Sequence, residues 1–272
     1  AAEEQLLDIA KNLGAQGKIY YQHEALGTGH AIYCAEESLN GPVIVAFADT
    51  LFRADFKITD AEEGVIWVKQ IDDPSQFGVV KLDDDGVITD FVEKPSTFVS
   101  DLAIIGIYFF KDGEHLKREL KSLLDNKVIK SGEYQLTDAL ENRKAQGVKF
   151  VPGQVDHWMD CGNKEATVDT NLAVLDFEKD KNLIDSTASI EDSTIIEPVF
   201  IGKGAKIHSS VIGPHVSIGA NATIRDSRIS NSIVRHETII ANAVLTGSMI
   251  GNNANVSPDA LNLSVGDYSS IE

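Results

Sequence analysis

Two carboxylates stand at the ends of apolar segments in this chain: Asp49 closes the run from Pro42, and Asp160 closes His157-Trp158-Met159. In open α/β sheets ligands bind beyond the carboxyl ends of the strands, which is where such acids would sit. Two acids of this kind, if their strand ends converge, suit Mg²⁺, which takes one or two carboxylates together with substrate phosphates. The simpler reading of each acid is a cap on the turn or helix that follows. Gln22 offers an amide donor and acceptor to a pyrimidine edge. Five residues on, Gly27-Thr28-Gly29 precedes a helical run through Ala31, Cys34, Ala35 and Leu39, which places a close-approach backbone at a helix start. A ligand-free strand-to-helix turn explains that pattern equally well. Glu93 and Lys94 are followed by Pro95, which fixes the backbone after them, and side chains of opposite charge held in this way suit a ligand with both hydroxyls and a phosphate. His23 and His30 have no neighbour at metal-ligand spacing and read as surface or packing residues.

These residues need elements to carry them. Residues 3–13 place Leu6, Ile9, Ala10 and Leu13 at helical spacing up to Gly14, predicting an outer helix of a sheet protein. Lys18–Tyr21 reads as a short strand. The apolar run 42–50 reads as a strand buried on both faces, as in the middle of a parallel sheet. Further buried strands are predicted over 65–70 and 103–110, with Gly106 marking a close backbone approach. Between them, Phe77–Val80 and Val87–Phe91 flank Asp85-Gly86 as a hairpin. Helices are predicted over 114–124 and from Gly132 to about Ala145, where Thr137 and Asp138 serve as first-turn capping groups. A strand over 148–151 and a helix over 163–180 complete this part.

From Ile184 onward aliphatic residues recur at six-residue steps, as at Ile184, Ile190 and Ile196, then Ile201 and Ile207, and again Ile212, Ile218 and Ile224. Ser193, Ser210 and Ser227 add a period of seventeen. Short rungs that turn every few residues stack into a solenoid of about five coils. The chain therefore divides into residues 1–180 and 181–272.

With 272 residues, the chain has enough apolar material for one large or two ordinary domains. Its formal charge of −18, with no basic cluster, argues against a nucleic-acid partner. No apolar run approaches membrane-spanning length and no signal-peptide layout opens the chain, so no membrane role and a cytoplasmic location are expected. Cys34 and Cys161 lack the neighbours of a metal site and read as reduced thiols. The opening on Ala1-Ala2 without a methionine suggests a piece of a longer protein.

The hexad pattern resembles the left-handed parallel β-helix of hexapeptide-repeat proteins. Residues 22–31, Ala48-Asp49, Phe77–Val80, Glu93-Lys94-Pro95, Gly106-Ile107-Tyr108, Leu136-Thr137-Asp138 and Trp158–Gly162 follow the order seen in sugar-1-phosphate nucleotidyltransferases. Leu26–Ala31 is most similar to the N-acetylglucosamine-1-phosphate uridylyltransferases. The Glu93–Pro95 and Trp158–Gly162 stretches are more similar to the glucose-1-phosphate thymidylyltransferases. The resemblance implies an α/β fold with a Rossmann-like nucleotidyltransferase sheet, N-terminally incomplete, followed by a left-handed parallel β-helix. It implies a pyrimidine nucleoside triphosphate (UTP or dTTP) and a hexose 1-phosphate as small-molecule substrates, joined to an NDP-sugar with release of pyrophosphate. Carried over by position, Gln22, Gly27 and Thr28 serve the nucleotide, Gly78 and Glu93 contact sugar hydroxyls, Lys94 holds the sugar's phosphate, and Asp49 and Asp160 bind Mg²⁺. Where the uridylyltransferases place an asparagine, this chain has Ile104, which favours a plain hexose, with glucose 1-phosphate as the expected acceptor.

The family's glycine-rich loop, with its Gly-Thr-Arg step, has no match in residues 1–21, so the expectation is little turnover by this chain alone. Two other functions compete. A hexapeptide-repeat acyltransferase would use His208, His215 or His236 as general base. A non-catalytic sugar-nucleotide-binding scaffold would use the solenoid to pack or to form a homo-oligomer.

Overall fold

The computed structural model describes residues 2–54, 58–59, 61–130 and 132–259. It divides into two compact units, residues 1–158 and 159–272. The first opens on α1 (Ala2–Asn12), whose apolar stripe does not pass under a sheet: Leu6, Ile9 and Leu13 are exposed. Lys18–Tyr21 enters no ladder and is not the predicted strand. Side chains tie this segment instead, Lys18 Nζ to Glu37 at 2.7 Å and the Tyr20 hydroxyl to Ser38 Oγ at 2.7 Å. The short α2 (Thr28–Tyr33) follows the glycine turn as predicted.

The run carrying Asp49 folds as β1 (Val43–Ala46) and, after a turn, β2 (Thr50–Arg53). β1 is not a central parallel strand. It is antiparallel, pairs among the described residues with one neighbour only, and leaves Ile44 60% exposed. An apolar run therefore overstated burial here, because one face and one edge of the strand lack cover. The remaining strands are β3 (Gly64–Gln70), the hairpin β4 (Val79–Leu82) and β5 (Ile88–Val92), β6 (Leu102–Phe110) and β7 (Phe150–Gln154). They run in the order β5-β4-β6-β3-β7, with β1 also on β6. Only β3 and β7 pair in parallel among the registers described; the sheet is mixed.

β6 is the apolar centre, and its alternation divides the core. Ile104, Tyr108 and Phe110 face Leu116, Leu120 and Leu123 of α3 (Gly113–Asp125) and Leu136 and Leu140 of α4 (Leu136–Ala145). Ile105, Ile107 and Phe109 face Val65, Trp67 and Val155 on the opposite side. Arg143 of α4 is 1% exposed, and its guanidinium lies 5.1 Å from the Phe110 ring and 5.7 Å from the Phe150 ring. The ring faces offset part of the cost of burying that charge, and burial pulls its pKa down.

β8 (His157–Asp160) spans the junction of the two units. In the second, α5 (Lys164–Phe177) is capped by the Asn163 side chain on Ala166 N–H and lies on solenoid strands. Ser217 Oγ donates to Asn171 Oδ1 at 2.5 Å, and His215 Nε2 is 2.9 Å from Asp176 Oδ1. The solenoid stacks its rungs into three parallel sheets of four, four and five strands. This makes about four turns against the five expected through residue 272, since 260–272 lie outside the described residues. The inward ladder Ile190, Ile207, Ile224, Ile240, Val256 advances by seventeen residues up to Ile224 and by sixteen afterwards. The residue is lost at one corner: Gly213, Pro214 and His215 link Ile212 to Val216, whereas only Ser230 and Asn231 link their partners Ile229 and Ser232.

The seventeen-residue serines form a ladder. Ser193 Oγ accepts the Ser210 N–H at 3.0 Å, Ser210 Oγ accepts that of Ser227 at 3.1 Å, and Ser227 Oγ accepts that of Ala243 at 3.1 Å. Each hydroxyl in turn donates to the carbonyl two residues before it. Ser227→Ala leaves a buried N–H unpaired and should cost about 1–3 kcal/mol. Urea unfolding of the variant checks this, and an unchanged midpoint would show that water replaces the rung.

Candidate active site

The glycine turn and α4 are built onto each other. Leu26 O accepts the Tyr134 N–H at 2.8 Å, and Tyr134 O accepts the Gly29 N–H at 2.8 Å. Gly27 has φ 101°, and a Cβ there would stand 2.7 Å from Tyr134 O, so both conformation and space demand glycine. Thr28 Oγ1 accepts the Leu136 N–H at 3.2 Å, satisfying one of the free amides that open α4. Its hydroxyl oxygen thus has a structural use that the sequence reading did not assign. Gln22 Nε2 donates to Gly27 O at 3.0 Å and lies 3.0 Å from His30 Nδ1. One amide donor is thus spent on the backbone of the turn, and Oε1 makes no hydrogen bond among the described residues.

The second cluster forms at the end of the hairpin. Phe91 N–H donates to Glu141 Oε1 at 2.6 Å, which pins β5 to α4 and aims Glu93 and Lys94 past its end. Lys94 has φ 39°, a conformation uncommon outside glycine, and its N–H donates to Phe77 O at 3.2 Å. A Cβ at Gly78 would stand 3.1 Å from Glu93 Oε2 and 3.3 Å from Ile104 Cδ1. Thr137 Oγ1 donates to Glu93 Oε2 at 3.3 Å. Gly78, Glu93, Ile104 and Thr137 are thus one packed group, and three of the four were expected at the sugar. They adjoin a cleft of about 420 Å³, lined among others by Glu93, Lys94, Lys130, Glu133, Thr137 and Asp138.

Both clusters meet at the first turn of α4, through Thr28 to Leu136 and Glu93 to Thr137. Thr137 and Asp138, expected as first-turn capping groups, are both buried, and Asp138 pairs with Lys130. The available signal was an acid and a hydroxyl just inside a helix start, behind Gly132-Glu133-Tyr134-Gln135.

Asp49 is exposed in the turn after β1, away from these clusters in sequence but fastened to the same strand. Phe47 N–H donates to Gly106 O at 2.9 Å, and Thr50 Oγ1 donates to Ile105 O at 2.8 Å. Gly106 has φ 80° where the β3–β6 register shifts, a bulge of the kind that re-aims side chains near sites. Among the described residues no group donates a hydrogen bond to the Asp49 carboxylate, which leaves its oxygens open to a hard cation. Asp160 belongs to the second unit. Its Oδ1 accepts the Gly162 N–H at 3.0 Å and its backbone O accepts from Thr170 Oγ1 at 2.7 Å. Among the described residues no group of three or more His, Cys, Asp or Glu side chains is disposed as a metal cage. Of the histidines weighed as acyl-transfer bases, His215 is committed to Asp176, and His208 Nε2 lies 3.7 Å from Asp192.

Burial pushes the Glu93 carboxyl above the ordinary value of 4.5; Lys94 and the Thr137 hydroxyl pull it back, while Asp138 and Glu133 push it further up. A carboxyl raised on folding binds more protons in the folded state, so stability falls as pH rises through the window between the unfolded and folded values. Glu93→Gln should therefore gain stability relative to the unsubstituted chain as pH rises from about 4.5, and the two should converge below it. Melting temperatures across pH 3.5 to about 7 test this, and parallel curves would refute the assignment of burial as cause.

The profile of the nucleotidyl transferase family matches residues 2–176. A glucose-1-phosphate thymidylyltransferase of Streptomyces antibioticus is 30% identical over 281 residues, covering 92% of this chain and 77% of that protein. The low-salt glycan biosynthesis nucleotidyltransferase Agl11 of Haloferax volcanii is 27% identical, covering 98% of this chain and 82% of its own length. The bifunctional protein GlmU of Alkaliphilus metalliredigens is 28% identical across 97% of this chain, which spans 64% of GlmU. With the profile covering more than half of its residues and the thymidylyltransferase aligned along nearly its whole length, this chain belongs to the nucleotidyl transferase family.

Proposed function

We propose that this chain serves nucleotidyl transfer from a pyrimidine nucleoside triphosphate to a hexose 1-phosphate, with glucose 1-phosphate as the acceptor. The observation that carries the reading is that Thr28, in the turn that holds Gly27 and Gln22, and Glu93, packed with Gly78 and Ile104 and beside Lys94 in the cleft, both bond to the first turn of α4. Gln22 Oε1 accepts the N3–H of uracil or thymine, beside Gly27. Gly78 leaves room for the hexose against Glu93, which accepts hydroxyl hydrogen bonds. Lys94 holds the sugar's phosphate. Ile104 supplies an apolar wall without an amide, which suits a plain hexose better than an acetamido sugar.

In the reaction an oxygen of the sugar phosphate forms a bond to the α-phosphorus while the bond from that phosphorus to the leaving pyrophosphate breaks. Because the nucleophile is already an anion, no protein base removes a proton. The residues act by positioning and charge compensation. Mg²⁺, when bound, supplies neutralisation of the phosphate charge. Asp49 is proposed as a ligand for it, and Asp160 carries the same proposed role.

Ligand-linked melting tests the reading with this chain. dTTP, UTP, dTDP-glucose and UDP-glucose are compared with acetyl-CoA, since a ligand of the folded state at a hundred times its Kd adds about 2.7 kcal/mol. At least one pyrimidine nucleotide should raise the melting temperature, more so with Mg²⁺ present. Asp49→Asn should remove the Mg²⁺-dependent increment and keep the rest. Stabilisation by acetyl-CoA alone would sink the assignment, and an Mg²⁺ increment that survives Asp49→Asn would remove that residue from the metal site.

A further inference from the structure

Gln22 can select a pyrimidine only if its amide stays one way round, and two groups lie where they would hold it. Gln22 Nε2 donates to Gly27 O at 3.0 Å and lies 3.0 Å from His30 Nδ1. An amide nitrogen donates and does not accept, so His30 meets it with a lone pair on Nδ1. The ring proton then sits on Nε2, which lies 3.9 Å from Cys34 Sγ, a weak acceptor. The Cys34 N–H donates to His30 O at 2.9 Å, so α2 and its C-cap set the spacing of these two side chains. Packing alone, as expected of His30 from its sequence, does not account for this ordered run of donors and acceptors.

The reversed amide shows what the arrangement does. Turning it over would set Oε1 against the Gly27 carbonyl and against the Nδ1 lone pair, two contacts between acceptors with no proton to share. The bases differ in the same respect. Uracil and thymine present an N3–H donor, whereas cytosine presents a bare N3 beside an amino group. Oε1 turned to the base suits the first two, and cytosine would need the amide reversed. Gly27 O opposes that reversal whatever side chain stands at position 30, and the Nδ1 lone pair of His30 opposes it a second time.

We propose that His30 is a positioning residue for base selection: its imidazole, with the proton on Nε2 toward Cys34, locks the Gln22 amide with Oε1 turned to the base and so favours uracil and thymine over cytosine. It acts through Gln22 and needs no contact of its own with the nucleotide. The inference rests on the reading of Gln22 as the base contact.

Calorimetric titration of this chain with UTP and, separately, with CTP, both with Mg²⁺, tests the selection, because the two differ only at the pyrimidine edge. UTP should bind more tightly. His30→Leu removes the acceptor and should narrow the ratio of the two dissociation constants by about two- to tenfold, the range of one hydrogen bond. His30→Asp puts an acceptor-only oxygen where Nδ1 stood and should restore the ratio, even where its charge weakens both nucleotides alike. Nitrogen NMR of the unsubstituted chain, with the His30 signals identified by their loss in His30→Asp, should show Nε2 protonated and Nδ1 bare. That readout decides the tautomer even where His30→Leu fails to fold. A ratio unchanged in His30→Leu, equal affinity of the unsubstituted chain for UTP and CTP, or a proton found on Nδ1 overturns the role of His30 and leaves the site reading intact. Should UTP not bind the unsubstituted chain, the reading of Gln22 falls and this inference falls with it.

Discussion

The turn that carries Asp49 approaches β6 so closely that a Cβ at position 106 would lie 3.1 Å from both Phe47 Cδ2 and Thr50 Oγ1. Glycine gives the backbone its φ of 80° there, and the register shift that results turns the Ile105 and Gly106 carbonyls into acceptors for the turn. Two residues back on the same strand, Ile104 packs under Gly78 and Glu93. One buried strand therefore sets both the acid at the end of β1 and the group at the end of the hairpin.

A helix start performs the second half of the assembly. The opening of α4 has unpaired amides by construction, and one is satisfied by Thr28 from a distant part of the chain. The next two residues, Thr137 and Asp138, line the candidate cleft and are buried there. Helix stability and site geometry share the same few atoms. The buried Arg143 in the last turn, lying over Phe110 and Phe150, anchors the other extremity of α4 on the sheet.

Much of this was legible in the sequence, for definable reasons. β6, the hairpin and the solenoid carry strong periodic patterns, and Gly106 announced its close approach because few other residues fit one. The ordered motifs from Gln22 to Glu93 pointed to the family that the comparisons show. What failed was inference of burial from composition alone. The run 42–50 looked central, yet Ile44 is exposed, and the apolar stripe of α1 is left open in the described residues. Lys18–Tyr21 had strand composition without a strand partner. The burial of Asp138 was not legible because an acid in the first turn of a helix is ordinary, and only tertiary packing shows that this one is buried and that a lysine eight residues earlier answers it.

The corner of the solenoid that drops one residue between the second and third coils bears on how such a protein can change over time. On either side of it the inward isoleucines and the serine ladder remain in step. The one-residue difference stays within that corner, and the ladders of the other two sheets keep their registers across it. A corner of this kind lets a solenoid differ in length by one residue from coil to coil without moving its inward aliphatic stack.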